Sequence, residues 1–186
     1  MTRSPDLSVQ SSETSSPMSQ VELTDINQAG REEFVEFLGD IYEESPWVAE
    51  RCVSERPFAS VEALQETMRR TVEDASDDEQ LALLRAHPDL GEQTEMTDAS
   101  ESEQAAAGLD ELGPDQYETF QRLNDRYREQ FGFPFIMAVK NETPDTIQAA
   151  MERRVEHSEG VEFRTALDEV HKIAELRLDE MVTEAE

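Results

Sequence analysis

From Val21 onward, apolar residues recur at steps of three and four, and the residues between the runs mark where helices start and stop. Phe34, Val35, Leu38 and Ile41 form a first stripe behind Asn27, which reads as its cap. Glu44-Ser45-Pro46-Trp47 interrupts that stripe, because the proline pushes Ser45 out of helical backbone. A short helix from Pro46 then turns Trp47 and Cys52 inward. Ser60 caps a run of Val61, Leu64, Met68 and Val72. Ser76-Asp77-Asp78-Glu79 has the spacing of a capping box and opens a helix carrying Leu81, Leu83 and Leu84, which stops near His87-Pro88. Residues 91–99 read as a polar loop. Ser100-Glu101-Ser102-Glu103 repeats the box spacing and opens a segment over 101–107, ended by Gly108.

Gly113-Pro114 starts a helix over about 114–130 that buries Tyr117, Phe120, Leu123 and Tyr127. Phe131 through Val139 is apolar, broken by Gly132 and Pro134, and too short for a helix before Lys140-Asn141. Thr143-Pro144 opens a helix with Ile147, Ala150, Met151 and Val155 inward, ended by Gly160. The last helix, about 161–182, spaces Phe163, Leu167, Val170, Ala174, Leu178 and Met181 along one face. No alternating strand pattern and no long repeat occurs. The expected fold is all-α, a single-domain helical bundle of about seven to nine helices over 21–186. Residues 1–20, rich in Ser, Pro and Thr without apolar period, read as a disordered tail, with Met18 an alternative start to Met1.

Charge changes the picture. The 186 residues carry 16 Lys+Arg against 44 Asp+Glu, a net charge of −28. That excludes unaided binding to nucleic acid or to an anionic membrane, both of which need basic surface. No run of 18 apolar residues could span a membrane, and no apolar stretch follows Arg3 as in a secretory signal. Cys52 is the sole cysteine, so no internal disulfide or multi-cysteine metal site can form. The expectation is a soluble, cytoplasmic protein. The cations are 14 arginines and only two lysines, Lys140 and Lys172. Such a carboxylate coat repels itself in dilute buffer, while at molar salt the Debye length shrinks to about 3 Å. The composition therefore points to a salt-rich, halophilic cytoplasm; an acidic partner-binding surface is the competing reading.

Candidate chemistry is sparse. There is no phosphate-binding glycine loop, dinucleotide fingerprint, nucleophile elbow or zinc-type histidine pair, and His87, His157 and His171 are scattered. Three places exceed what the fold requires. His87, half exposed where a helix meets Pro88, suits proton transfer, but also suits a surface histidine favoured by the helix dipole. Glu103-Gln104 lies in a short helix, where Glu103 could equally be the closing partner of a capping box. Arg177 shares the inward face of the last helix with Ala174 and Met181, so it must meet a carboxylate or an anionic ligand. The 131–139 stretch is either core filler or irregular backbone with amides free for a polar ligand, and Phe133 and Phe135 could wall a flat ring.

Six segments in order resemble the OHCU (2-oxo-4-hydroxy-4-carboxy-5-ureidoimidazoline) decarboxylase family of urate degradation. They are Tyr42-Glu43-Glu44-Ser45-Pro46-Trp47-Val48-Ala49, Leu84-Arg85-Ala86-His87-Pro88-Asp89-Leu90, Ser100-Glu101-Ser102-Glu103-Gln104 with Gly108-Leu109, Phe120 with Leu123-Asn124, Phe131-Gly132-Phe133-Pro134-Phe135-Ile136, and Glu175-Leu176-Arg177-Leu178. The resemblance covers about 22–182. It implies an all-helical, cofactor-free, metal-free carboxy-lyase, usually a homodimer, acting on a small ureidoimidazoline and yielding (S)-allantoin. Carried over by position, His87 matches the catalytic proton donor, with Glu103 as its catalytic companion. Pro88, Ser100 and Gln104 match the pocket, Phe135, Ile136, Met137, Ala138 and Val139 the stretch whose backbone holds ureido and ring amides, and Arg177 the anchor for negative charge. The loop between His87 and Glu103 looks shorter than in animal members, and the terminal Thr183-Glu184-Ala185-Glu186 lacks their frequent peroxisomal signal. The alternative is a non-catalytic acidic helical module that binds a ligand or partner in the same groove.

Overall fold

In the computed structural model, which describes residues 20–92 and 96–184, the spacing of apolar residues becomes nine α-helices around one core. They are α1 (Leu23–Gln28), α2 (Arg31–Leu38), α3 (Trp47–Cys52), α4 (Val61–Glu73), α5 (Asp77–Arg85), α6 (Asp98–Ala106), α7 (Pro114–Phe131), α8 (Pro144–Arg154) and α9 (Glu159–Met181). Two two-residue strands, β1 (Val21–Glu22) and β2 (Val182–Thr183), pair in parallel and join the ends of the described chain. Strands this short have no alternation for a sequence to display. The expected tail falls on residues outside those described, save Gln20, as do residues 93–95 of the expected polar loop.

The capping chemistry largely decides the boundaries. Ser60 accepts from the Ala63 amide, and Ser76 and Glu79 satisfy each other's backbone N–H groups in a capping box. Proline occupies the first turn of α7 and of α8, where its missing N–H leaves no bond unmade.

Three expected boundaries differ. Asn27 lies inside α1 and does not cap α2; its carboxamide pairs with both backbone groups of Phe58, at 3.0 and 2.8 Å. Thr97 caps α6, because its hydroxyl accepts from the Ser100 amide, so Ser100 falls in the first turn with its own hydroxyl available. Gly160 does not end α8. It sits in the first turn of α9, which Ser158 caps. Trp47, Leu81 and Tyr117 are only half-buried, since each lies at the edge of its helix's inward face.

Helix α9 runs against α4, α5 and α7 and carries Ala166, Leu167, Val170, Ala174 and Leu178 into the core. Phe34, Leu38, Leu64, Met68, Leu83, Leu84, Phe120 and Tyr127 close around it, each almost fully buried. Burial of such side chains stabilises by about 1.5–3 kcal/mol apiece. After α7 the chain turns through Gly132, at φ +77, into the non-helical stretch up to Val139. There Tyr127, Phe131, Phe133 and Phe135 form an aromatic cluster with centroids 4.5–6.0 Å apart. Phe133 packs edge-on against Phe163, so it belongs to this cluster rather than to a ligand wall.

Candidate active site

His87 follows the last turn of α5 and is buried, not half exposed as expected, with 6% of its surface accessible. Its Nδ1 lies 2.9 Å from the Leu83 carbonyl, which can only accept, so Nδ1 carries the hydrogen. Nε2 is then a bare lone pair, with no protein partner among the described residues. Burial drives the ring's pKa down from 6.5 to about 4, against the opposing pull of the Leu83 bond and the Glu43 charge. At neutral pH the ring is an uncharged base.

The turn after it is pinned from three sides. Asp89 takes both its bonds from Arg128 Nε, at 2.8 and 3.0 Å, and Asn124 donates to the Leu90 carbonyl at 3.0 Å. The Gly91 amide donates to Gln104 Oε1 at 3.0 Å. Gly91 sits at φ +80, and a Cβ there would meet Leu112 and Phe120 at 3.0 and 3.2 Å, so only glycine fits.

Arg177 gathers the second set of groups. Its Nε donates to Glu103 Oε1 at 2.8 Å and Nη2 to Glu103 Oε2 at 3.1 Å. Nη1 reaches the Asp40 carbonyl at 3.2 Å and Glu43 Oε2 at 2.9 Å, and Nη2 also reaches Ser100 Oγ at 3.2 Å. Five contacts match the five guanidinium N–H groups. Glu103 is therefore an ion-pair partner rather than the closing member of a capping box.

Glu43 has 2% of its side chain accessible and also accepts from Thr97, at 2.7 Å, and Ser100, at 2.8 Å. Burial alone would raise its pKa, but the two hydroxyls and Arg177 outweigh it and hold the carboxyl below its usual range. Sequence reasoning missed Glu43, although it stands inside the Tyr42–Ala49 motif. No local signal marked it: the next residue, Glu44, takes φ +44, and Glu43 is buried, but neither is visible in the residue types.

His87, Glu103 and Arg177, far apart in sequence, line one hollow of about 30 Å³. Every residue carried over from the family resemblance borders it except Ala138, whose amide donates to Glu169 Oε2 at 3.0 Å; Phe133 lies outside it as well. Leu90 and Ile173 complete the wall. The 135–139 backbone is thus not wholly free: the Ile136 carbonyl also accepts from Arg154 at 2.7 Å. Its volume is that of a water or two. Glu103, with 34% of its side chain accessible, is more exposed than Arg177 or Glu43 in this knot.

A sequence model of OHCU decarboxylase matches residues 27–179. The chain belongs to the OHCU decarboxylase family. Its relatives in the family include the 2-oxo-4-hydroxy-4-carboxy-5-ureidoimidazoline decarboxylase of Haloferax volcanii, 67% identical over 88% of this chain and 97% of that protein. The namesake of Halalkalicoccus jeotgali is 63% identical over 88% of this chain and 93% of its own length. Among solved structures, a crystal structure of (S)-allantoin synthase is 37% identical, with a TM-score of 0.73 over 87% of this chain. This chain spans 54% of that one.

Proposed function

We propose that the chain decarboxylates 2-oxo-4-hydroxy-4-carboxy-5-ureidoimidazoline to (S)-allantoin in urate degradation. The observation that carries the reading is a neutral, fixed imidazole bordering the same hollow as an arginine held by two carboxylates. In this substrate the departing carboxylate sits on a carbon next to a C=N bond. When CO2 leaves, the bonding pair forms a ring C=C bond and the former C=N pair moves onto nitrogen, so the substrate is its own electron sink. That nitrogen takes a proton from water. The resulting enol must then lose its hydroxyl proton and gain one on the ureido-bearing carbon.

His87 fits the second half of this sequence. Its bare Nε2 accepts the hydroxyl proton and returns it to carbon on one ring face, which fixes the hand of the product. The ring acts as proton donor, as the resemblance implies, only after acting as acceptor. General acid–base help of this kind contributes about 10²–10⁴-fold. Arg177 binds the substrate's negative charge once Glu103 swings away and releases Nε and one Nη2 hydrogen. The freed Glu103 carboxylate accepts from ureido N–H groups or the hydroxyl. Ser100 and Glu43 keep the guanidinium in place during that exchange. Pro88, Gln104 and the 135–139 wall confine the ring, and confinement in a reactive pose supplies several kcal/mol.

The family resemblance also supports a homodimer, which sedimentation in molar KCl checks, and the acidic composition supports a salt-rich cytoplasm. The test of the activity is direct. Urate is treated with urate oxidase and hydroxyisourate hydrolase in molar KCl, and the protein is added. Faster decay of the ultraviolet band with optically active allantoin is expected, and His87→Asn removes both while helical content stays. Unchanged decay and racemic allantoin would leave only a binding module.

A further inference from the structure

We infer that Arg154, remote from the proton chemistry, is a positioning residue that holds the Phe135–Ile136 wall of the hollow in register. Its guanidinium does three things at once. Nη1 donates to the Ile136 carbonyl at 2.7 Å, its face lies 4.4 Å from the centroid of the Phe135 ring, and Nε and Nη2 grip Glu162 at 3.1 and 3.0 Å. Arg154 is 5% exposed and Glu162 not at all. Glu162 is itself fixed by the Tyr127 hydroxyl at 2.5 Å and by His157 Nδ1 at 2.8 Å. One end of the fork is therefore anchored in the core, and the other holds two residues that border the hollow.

Stability alone does not explain this arrangement. A buried ion pair is often matched or bettered by apolar residues of similar volume. What an apolar pair cannot do is bond a carbonyl and stack on a ring from a fixed point, whereas a planar, five-donor guanidinium can. The need is specific to this wall, since residues 133–139 form neither helix nor strand and take their position from outside contacts. Among the described residues the remaining side-chain anchors, Arg85 on the Gly132 carbonyl and Glu169 on the Ala138 amide, hold residues that do not border the hollow.

The inference rests on the decarboxylase reading. Its test is Arg154→Lys in the coupled urate assay at molar KCl, with wild type alongside. Lysine keeps the charge but cannot span Glu162, Ile136 and Phe135 together. KM is expected to rise about tenfold, and the enantiomeric purity of the allantoin to fall, with helical circular dichroism retained. KM does not depend on how much of the sample is folded, and enantiomeric purity is compared at matched rates of accelerated decay, because the uncatalysed reaction gives racemic product. The second variant, Arg154→Met with Glu162→Gln, removes both buried charges and keeps an acceptor for Tyr127; the same two changes are expected. Unchanged KM and enantiomeric purity in both variants, or loss of helix in both, would overturn the positioning role. Wild type without acceleration would overturn the activity itself, and the inference with it.

Discussion

The protonation state of His87 can be checked without any substrate. The folded ring has its pKa lowered from 6.5 to about 4, which at 1.36 kcal/mol per unit amounts to about 3 kcal/mol. The unfolded ring binds a proton below about 6.5, whereas the folded ring refuses one until about 4. Stability is therefore unaffected above pH 6.5 and falls as the pH drops through that window. Between pH 7 and pH 5 the loss comes to about 2 kcal/mol. His87→Asn removes the titration while its carboxamide can still donate to the Leu83 carbonyl. Glu43, like other carboxyls held low, loses its contribution only below about 4.5, outside the interval. His171, also lowered by burial, contributes equally to both proteins and cancels in the difference. Urea unfolding of wild type and variant in molar KCl, at pH 7 and pH 5, isolates the His87 share. The variant should lose about 2 kcal/mol less than wild type over this interval. Equal losses would mean that the ring is not held neutral, and its role as first acceptor would go too.

Four further outcomes follow from the site and the surface. The acid limb of kcat/KM should lie near pH 4, with activity present above it and lost as the pH falls through it, because neutral His87 is the active form. Arg177→Ala should destabilise by about 3–5 kcal/mol in urea unfolding, since it strands the buried Glu43 carboxylate. Glu103→Gln, at a partly exposed pair, should leave stability nearly unchanged and lower kcat/KM about tenfold or more through lost charge-assisted bonds. Helical circular dichroism should weaken below about 0.5 M KCl and recover above it; full structure in dilute buffer would remove the salt argument.

The sequence disclosed the helices well because their signals are local. Ser60, Ser76, Pro114, Thr143 and Pro144 state their roles within one turn. The boundary errors at Ser100 and Gly160 share one cause, a nearby cap in Thr97 or Ser158, whereas Asn27 has a tertiary use on Phe58 and α2 follows Gly30 with no side-chain cap. Cations were legible, since Arg177 stands on an inward face in a chain with few of them. Arg154 offered the same signal, three residues after Met151 and four after Ala150, and went unread. Carboxylates were not legible. With 44 acidic residues, nothing local separates Glu43 or Glu162 from the solvated majority; only the buried arginine that each meets does so. The exposure of His87 was misjudged because α6 and the 135–139 stretch, which cover it, are distant in sequence.

The two populations of charge answer differently to salt, and that difference lets one chain carry both. Surface pairs such as Arg70–Glu55 and Arg126–Glu156 are about half exposed, are worth at most about 1 kcal/mol, and weaken further in molar salt. The same salt quiets the repulsion among the excess carboxylates. Arg177–Glu43 and Arg154–Glu162 are almost wholly shielded, so ions screen them far less. A rise in salt thus relaxes the coat without loosening the side chains around His87. The site's own balance is one arginine against two carboxylates with a neutral imidazole, a net charge of −1, which an anionic substrate makes more negative. That added charge favours the protonated ring. Substrate binding therefore raises the proton affinity of His87, and because CO2 departs neutral, the added charge stays in the site until the ring nitrogen takes its proton.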